Sequence, residues 1–358
     1  MHTSSRSSLA LSAFLGGLIL LSPCLLAAEP PALDVRFVTD EADAVLSILG
    51  KRAKKEAVTE ADWQRLLSSE GYTRLAKREA GMGRSLKEDD FKSFVLSEAL
   101  ASRAGALAEI LAAWTRTDPG AAGRRALAYL PPGARIRAKV YPVIKPKDNS
   151  FVFEVKTDPA IFLSLDPAVP PEKLENTVAH ELHHIGFGTV CPPPAAEAEI
   201  AKLPPGARTA VLWMGGFGEG LAMLAAAGGA GVHPHAVSPA ADRERWDRDV
   251  TRFDSDLREI DGFFRDVIAG RLDEEGAQKK AFTFYGETQG PWYTVGWTMG
   301  SLVEETWGRD RLITDACDTR KLLASYNEAA RRRAAEGQAP ALWSAAVLEP
   351  AGVAPRVP

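Results

Sequence analysis

The sequence is poor in histidine, in cysteine and in long runs of one charge. Of its 358 residues, six are histidine and three are cysteine. The cysteines stand singly and far apart, so they do not form the zinc sites that closely spaced cysteine pairs indicate. The formal net charge is −4 at pH 7, and the short arginine run from Arg331 to Arg333 is typical of a solvated helix face. We therefore expect no nucleic-acid partner.

Long hydrophobic runs are also scarce beyond the N-terminus. Residues 1–28 have the composition of a secretory signal peptide, with a short polar start, an apolar run from Leu9 to Leu21 and Ala27-Ala28 at the end. The apolar run is short for a membrane span. We expect an exported protein, periplasmic or secreted, without a stable membrane span after cleavage. A retained membrane anchor and a lipoprotein attached through Cys24 are the less favoured alternatives.

The hydrophobic pattern predicts an α+β fold that is predominantly helical. Helical spacing of apolar residues runs from Asp40 to about Arg116. Alternating patterns then predict three strands at residues 136–140, 151–155 and 161–165. Helical patterns follow again. We expect a small sheet next to a central helix, followed by a helical C-terminal half.

The same pattern divides the chain into four segments. We assign residues 1–28 to the signal peptide and 29–132 to a helical N-terminal region. Residues 133–347 form the main domain, and the proline-containing end, 348–358, is expected to be a disordered tail. With the signal peptide removed, two cysteines remain, Cys191 and Cys317. They can form a disulfide in an oxidising compartment or remain two buried thiols, and the sequence leaves both possibilities open.

The segment from His180 to His184 reads H-E-L-H-H and contains the pattern H-E-x-x-H. Residues four apart lie on one face of an α-helix, so His180 and His184 can direct their rings at one Zn²⁺. Glu181 lies about 100° further round the helix, where it can take a proton from a water that the metal activates. This pattern also occurs by chance, and a helix with a packed face strengthens the metal interpretation.

The predicted helix that carries His180 and His184 has a face that can pack. Leu174, Val178, Leu182 and Ile185 recur at helical spacing and predict an apolar stripe away from the two ligand histidines. Gly186 is expected to end the helix. His183 falls opposite the stripe, and we expect it at the surface rather than behind the metal ligands.

A catalytic zinc takes three protein ligands, so a third one is needed. Val190 stands where the metzincin pattern requires a histidine. His233 and His235 are alternatives, although their Gly/Pro-rich segment predicts an exposed turn. Glu219 is favoured because it lies in an apolar stretch, where burying a carboxylate is costly unless it is paired or metal-bound. The glycines around it are expected to let its backbone approach the first helix closely.

Tyr293 is our candidate for an oxyanion donor. It begins an aromatic helical stretch after a turn at Gly290-Pro291. A neutral donor beside the metal would help to stabilise charge that develops on the carbonyl oxygen. The alternative is a tyrosine packed in the core with its hydroxyl satisfied.

The H-E-L-H-H segment, followed by Gly218-Glu219-Gly220-Leu221-Ala222, resembles the gluzincin clan of zinc metallopeptidases, in which a second helix carries E-G-x-A. The resemblance implies a zincin-like fold in which His180, His184 and Glu219 are ligands and Glu181 is the base. With Gly71-Tyr72 and Tyr293-Thr294-Val295-Gly296, the segment also resembles a group of bacterial exported proteins described only as zinc-dependent peptidases. Gly218 replaces the asparagine of well-known aminopeptidases, and a G-A-M-E-N-like motif is absent before the zinc helix. Aminopeptidase specificity is therefore not implied.

The leading hypothesis is a zinc-dependent peptidase that acts on a peptide or protein substrate. One alternative is a zinc hydrolase that acts on cell-wall peptides or esters, and another is a non-catalytic exported binding protein. A long groove beside the strand Ile161 to Leu165 would favour an extended peptide, and a closed pocket a small substrate. The sequence specifies neither the oligomeric state nor the cleavage specificity.

Overall fold

The computed structural model describes residues 32–147 and 150–353. The predicted signal peptide, residues 1–28, lies outside the described residues, and so do the last five residues of the predicted tail, 354–358. The described part is an α+β structure that is predominantly helical and contains one small mixed sheet. The predicted fold class is confirmed at this level.

The N-terminal part contains one strand and seven helices. The helical spacing between Asp40 and Arg116 is confirmed, because the helices bury apolar faces and leave most of their charged residues outside, with Glu41 and Arg74 as buried exceptions. The elements are β1 (Leu33–Phe37), α1 (Asp40–Ala53), α2 (Glu60–Leu67), α3 (Glu70–Gly81), α4 (Glu88–Val95), α5 (Glu98–Ala101), α6 (Ala104–Thr115) and α7 (Pro119–Leu127).

Three further strands follow, in the places that the alternating patterns predict: β2 (Ile136–Val143), β3 (Phe151–Phe153) and β4 (Ala160–Ser164). The sheet has the order β1-β2-β4-β3. Strands β1, β2 and β4 are parallel, and β3 is antiparallel to β4. The register places Leu33 opposite Ile136, Lys139 opposite Ala160, and Phe151 opposite Phe162.

A substrate groove beside the strand predicted at 161–165 would require this strand to lie at the edge of the sheet, and it does not. Strand β4 is paired on both sides, and the edges are β1 and β3. Its residues Ile161, Phe162 and Leu163 are all buried. A continuous apolar run of this kind belongs to a strand that is covered on both faces. Strand β1 lies in the N-terminal region that was predicted to be helical, and its place in the sheet depends on pairing with a strand about a hundred residues later.

The C-terminal half is helical. It begins with the predicted metal helix, α8, and includes one 3₁₀ turn at Gly215–Phe217. Its helices are α8 (Pro171–Phe187), α9 (Pro194–Ile200), α10 (Pro205–Met214), α11 (Gly218–Ala227), α12 (Ala240–Val250), α13 (Phe253–Ile268), α14 (Glu274–Thr283), α15 (Pro291–Trp307), α16 (Arg309–Ala316), α17 (Thr319–Ala335) and α18 (Ala345–Leu348).

Helix α8 packs against the sheet. Its predicted apolar stripe, Leu174, Val178, Leu182 and Ile185, is buried in a core shared with the N-terminal helices and strands. Gly186 does not end the helix, which continues to Phe187. A Cβ atom at Gly186 would lie 2.4 Å from a methyl group of Leu130, so this glycine permits close packing instead.

A second core fills the helical half and extends into the predicted tail. Leu348 and Ala351 are buried in this core, so the ordered chain continues beyond residue 348 to the end of the described part. In the described residues, the run Pro205–Ala227 is apolar and long enough to cross a membrane by length and composition. Its most apolar window is 67% buried, as expected for helices at the centre of a core.

Cys191 and Cys317 form a disulfide, with their Cα atoms 4.9 Å apart. This resolves the alternative that the sequence leaves open. Cys191 follows the end of α8, and Cys317 follows α16. The bond therefore attaches the segment after the metal helix to the helical half of the molecule.

Helices α11 and α15 cross at almost the closest distance that two backbones allow. A Cβ atom on Gly220 would lie 2.1 Å from the backbone nitrogen of Trp297 and 2.4 Å from the carbonyl oxygen of Tyr293. Gly296 on α15 faces the backbone of Phe217 in the same way. Gly220 therefore lets the backbone of α11 approach that of α15. The prediction that the glycines around Glu219 face α8 is wrong.

Replacing Gly220 by alanine should destabilise the protein and separate α11 from α15. The added methyl group meets backbone atoms, which cannot rotate away as a side chain can, and overpacking of this kind costs about 1–3 kcal/mol. Thermal unfolding of Gly220→Ala should show a lower Tm than the wild type.

The matched control is Gly218→Ala on the same helix, where an added Cβ has no neighbour within 4 Å. Alanine favours a helix over glycine, so this variant should be as stable as the wild type or slightly more stable. Equal Tm values for the two variants would contradict the close crossing.

Candidate metal centre

Three side chains from two helices converge at one point. His180 and His184 lie one turn apart on α8, and Glu219 lies in the first turn of α11. The Nε2 atoms of the two histidines are 3.2 Å apart. Glu219 Oε2 lies 3.2 Å from His180 Nε2 and 3.3 Å from His184 Nε2. The structure thus brings together the three residues that the sequence analysis proposes as ligands.

The arrangement fits a zinc ion. Zinc takes nitrogen and oxygen ligands at about 2.0–2.2 Å, and a tetrahedral ion with such bonds keeps its ligands about 3.3–3.6 Å apart. The observed separations of 3.2–3.3 Å are close to that range. Two imidazole nitrogens that face each other also need a shared proton or cation, because otherwise their lone pairs repel. The donor set is therefore that of a metal site with one coordination position left open.

The charges at this point favour a cation as well. Burial would raise the pKa of Glu219, but hydrogen bonds from His180 and His184 outweigh it and hold the pKa far below its usual range. Burial would lower the pKa of His184, and the hydrogen bond to Glu219 raises it instead. Glu219 is thus an ionised carboxylate although most of its surface is covered.

The position of α11 relative to α8 is fixed at both of its ends. Asn176 on α8 donates a hydrogen bond of 3.0 Å to the carbonyl oxygen of Ala226, in the last turn of α11. Arg125 at the end of α7 donates to the same oxygen and pairs with Glu175 of α8. The start of α11, which carries Glu219, is held by the crossing with α15 at Gly220.

Glu181 lies beside the ligands, at a cavity of about 180 Å³. We call this the site cavity; His180, Glu181 and Tyr293 line it. The Glu181 carboxylate lines this cavity, where a substrate or a water can reach it. The remaining wall consists of helix and loop residues, and strand residues take no part: Lys173, Asn176, Thr177, Met223, His235, Ser238, Thr288 and Gln289.

Tyr293 lies in the first turn of α15 and packs against the metal ligands. Its ring is stacked on that of His180, with 6.2 Å between ring centroids and an angle of 11° between planes. Burial, together with the nearby Glu219 carboxylate, raises the pKa of Tyr293 above its usual range. The hydroxyl group therefore stays protonated at neutral pH and can donate a hydrogen bond.

His183 is not at the surface, contrary to the sequence prediction. Its side chain is only 3% exposed and hydrogen-bonds the backbone of Tyr129. Burial, followed by the charges of His184 and His180, lowers the pKa of His183 to about 3. The helical spacing alone could not show this, because the segment after α7 covers that face of α8.

The prediction of an exposed turn at His233 and His235 is also wrong for His235, which is 6% exposed and packs on Trp246. Its Nδ1 atom lies 3.1 Å from Ser238 Oγ, and Gln289 is a second polar neighbour of the ring. His233 pairs with Asp247 at 2.8 Å. Neither histidine joins the group of three ligands.

Sequence reasoning missed His235 and Gln289 as residues of the site cavity. The His233-Pro234-His235 segment was a usable signal, since two of the six histidines concentrate there. Gln289 gives no such signal, because an isolated glutamine before a Gly-Pro turn is common at a surface. Its position depends on how the segment before α15 folds back over α11.

Comparison with known proteins gives one match. The sequence model of the family described as "Putative zinc dependent peptidase (DUF5700)" matches residues 114–335, which is more than half of the chain and includes α8, α11 and α15. No curated protein and no solved structure matches the chain. The two histidines, the glutamate ligand and Tyr293 all lie within the matched range. The chain therefore belongs to this family, whose description names zinc-dependent peptidases.

Proposed function

We propose that this protein is an exported zinc-dependent peptidase of the gluzincin type. His180, His184 and Glu219 hold Zn²⁺, and Glu181 is the general base. The observation that carries the proposal is the convergence of three donor atoms at 3.2–3.3 Å, with the Glu181 carboxylate beside them. The family description supports the same reaction class.

When bound, the zinc ion would polarise the substrate carbonyl group and lower the pKa of a water molecule. Glu181 then has a defined task. Its carboxylate accepts the proton of the attacking water and passes it to the nitrogen of the departing amine. The helix places this carboxylate at the wall of the site cavity, next to His180, where a peptide bond and a water can both reach it.

Tyr293 stabilises the negative charge that develops on the carbonyl oxygen of the substrate. Its neutral hydroxyl can donate a hydrogen bond to the carbonyl oxygen as that oxygen becomes an oxyanion. The ring is held by its stacking on His180 and by the close crossing of α15 with α11. The hydroxyl group, which hydrogen-bonds Glu219, would turn from that carboxylate to the carbonyl oxygen of a bound substrate.

Two features support export. The first is the composition of residues 1–28, and the second is the disulfide between Cys191 and Cys317. Disulfides form and persist in oxidising compartments such as the periplasm and the extracellular space. We infer that the mature protein works in one of these compartments, on a peptide or protein substrate.

The variant Glu181→Gln should keep its zinc and lose peptide hydrolysis. Glutamine has nearly the same shape but cannot accept the proton, and general-base catalysis contributes about 10²–10⁴ in rate. We expect kcat/KM for a peptide mixture to fall by a factor in this range, while metal analysis of the purified protein gives an unchanged zinc content.

Glu172→Gln is the matched control, since Glu172 is an exposed glutamate in the first turn of the same helix. This variant should cleave like the wild type. Equal hydrolysis by wild type and Glu181→Gln would refute the base assignment. If the wild type hydrolysed esters but not peptides, the proposed function would change from a peptidase to another kind of zinc hydrolase.

The variant Tyr293→Phe should lower kcat and leave KM nearly unchanged. The hydroxyl group stabilises the transition state more than the bound substrate, and loss of one oxyanion donor costs about 10²–10³ in kcat. Steady-state kinetics with a single peptide substrate provide the measurement.

Tyr285→Phe is the control for this experiment. Tyr285 also lies near Glu219. Burial, and to a smaller extent the charge of Glu219, raise the pKa of Tyr285, but the Tyr285 side chain does not line the site cavity. We expect it to retain wild-type kcat. A Tyr293→Phe variant with wild-type kcat would assign Tyr293 to packing alone.

A further inference from the structure

A second and larger cavity lies next to the site cavity. It has a volume of about 730 Å³ and is bounded by α12, α13, α14, the segment 286–290 and the first turn of α15. We call it the outer cavity. Thr288 and Gln289 line both cavities, so the two adjoin at these residues. A substrate that lies across these two residues would reach from one cavity into the other.

The boundary between the cavities is fixed by side-chain contacts. Gln289 Nε2 donates to the sulfur of Met223 on α11 at 3.6 Å, and Gln289 Oε1 accepts from Arg245 on α12 at 3.5 Å. Arg245 also pairs with Asp242, which in turn pairs with Lys173 of α8. The segment before α15 is thus attached to three helices that surround the metal centre.

Buried polar groups without hydrogen bonds lie along this path. In the outer cavity they are the hydroxyl of Thr294, whose residue is 1% exposed, and Oδ2 of Asp256, whose residue is 8% exposed. Buried polar groups are nearly always paired, so unpaired ones in a cavity wall indicate a ligand that supplies partners.

The charges of the outer cavity favour a cation. Arg245 pairs with Asp242 at 2.8 Å, and Lys280 pairs with Glu259. The nearest cation to Asp256 is Arg252, at 3.9 Å, and Arg252 lies equally far from Asp249. Arg245 and Lys280 are therefore closely paired, whereas Asp256 has only a long ion pair that Arg252 shares with Asp249.

Among the carboxylates that line the outer cavity, Asp256 is the one whose environment disfavours the charged form. Burial raises its pKa despite the charge of Arg252, and the charges of Glu259 and Asp249 act in the same direction as burial. A bound cation would offset the burial of this group and supply a hydrogen bond to Oδ2. An ammonium or guanidinium group on a long, flexible chain is the natural candidate in a peptide.

We propose that the two cavities form one substrate groove, in which the outer cavity binds a lysine or arginine side chain of a polypeptide whose scissile bond lies at the metal centre. The proposal rests on the peptidase function proposed above and adds a substrate class to it. Substrates then extend over several residues on one side of the cleaved bond and carry a basic residue at a fixed distance from it.

The direct test is a positional scan with the full mature chain. One peptide sequence is prepared with either lysine or glutamine at each position on both sides of the cleaved bond, and kcat/KM is measured for every member. We expect lysine to be favoured by about tenfold or more at one position on one side. Preference for lysine at none of the positions, or equally at all of them, would overturn the proposal.

A pair of variants tests whether the preference for lysine depends on the outer cavity. Asp256→Asn should reduce the ratio of kcat/KM for the lysine and glutamine peptides to less than about threefold. Asp266→Asn is the matched control, because Asp266 lies on the same helix, pairs with Arg271 and is not part of the cavity. It should leave the ratio unchanged. Should Asp256→Asn fail to fold, Glu287→Gln at the same cavity is expected to reduce the ratio in its place.

Binding separates this proposal from the peptidase proposal. The zinc-loaded Glu181→Gln variant is titrated calorimetrically with the preferred lysine peptide and its glutamine counterpart, or with the whole series if no peptide is cleaved. Tighter binding of a lysine peptide by about tenfold supports the outer-cavity site even when the wild type hydrolyses no peptide. Equal affinities contradict it even when the wild type is an active peptidase.

Discussion

Two imidazole nitrogens and one carboxylate oxygen lie 3.2–3.3 Å apart in this protein, and such an arrangement needs a shared proton or a cation between them. Burying Glu219 alone would be costly, and the two histidines by themselves would repel each other when protonated. A metal ion resolves both problems at once. The surrounding structure holds α8 and α11 in the positions that bring His180, His184 and Glu219 together.

Helix α11 lies between α8 and α15 and is attached to both. Asn176 and Arg125 hold its last turn through the carbonyl oxygen of Ala226. Its first turn is held by Gly220, whose missing side chain lets the backbone of α15 come into contact. The same crossing brings Tyr293 to the ligands, so the third ligand and the candidate oxyanion donor depend on one close approach. The disulfide after α8 adds a covalent attachment to the helical half.

The predictions that succeeded rest on local patterns. Spacing of four residues places His180 and His184 together on any α-helix, and the apolar stripe from Leu174 to Ile185 shows which face packs. Glu219 could be proposed because a carboxylate in an apolar stretch needs a partner. The predictions that failed concern contacts between elements. His183 and His235 are buried by other segments of the chain. Strand β1 pairs with a strand far along the chain, and Gly220 faces α15. Local sequence contains no information about these contacts.

The most direct test of the metal centre is anomalous diffraction at the zinc absorption edge, recorded from crystals of the zinc-loaded mature protein. We predict one strong peak per chain, about 2.0–2.2 Å from His180 Nε2, His184 Nε2 and a carboxylate oxygen of Glu219. A protein that takes up no zinc, or a peak that lies away from any of these three side chains, would contradict the account.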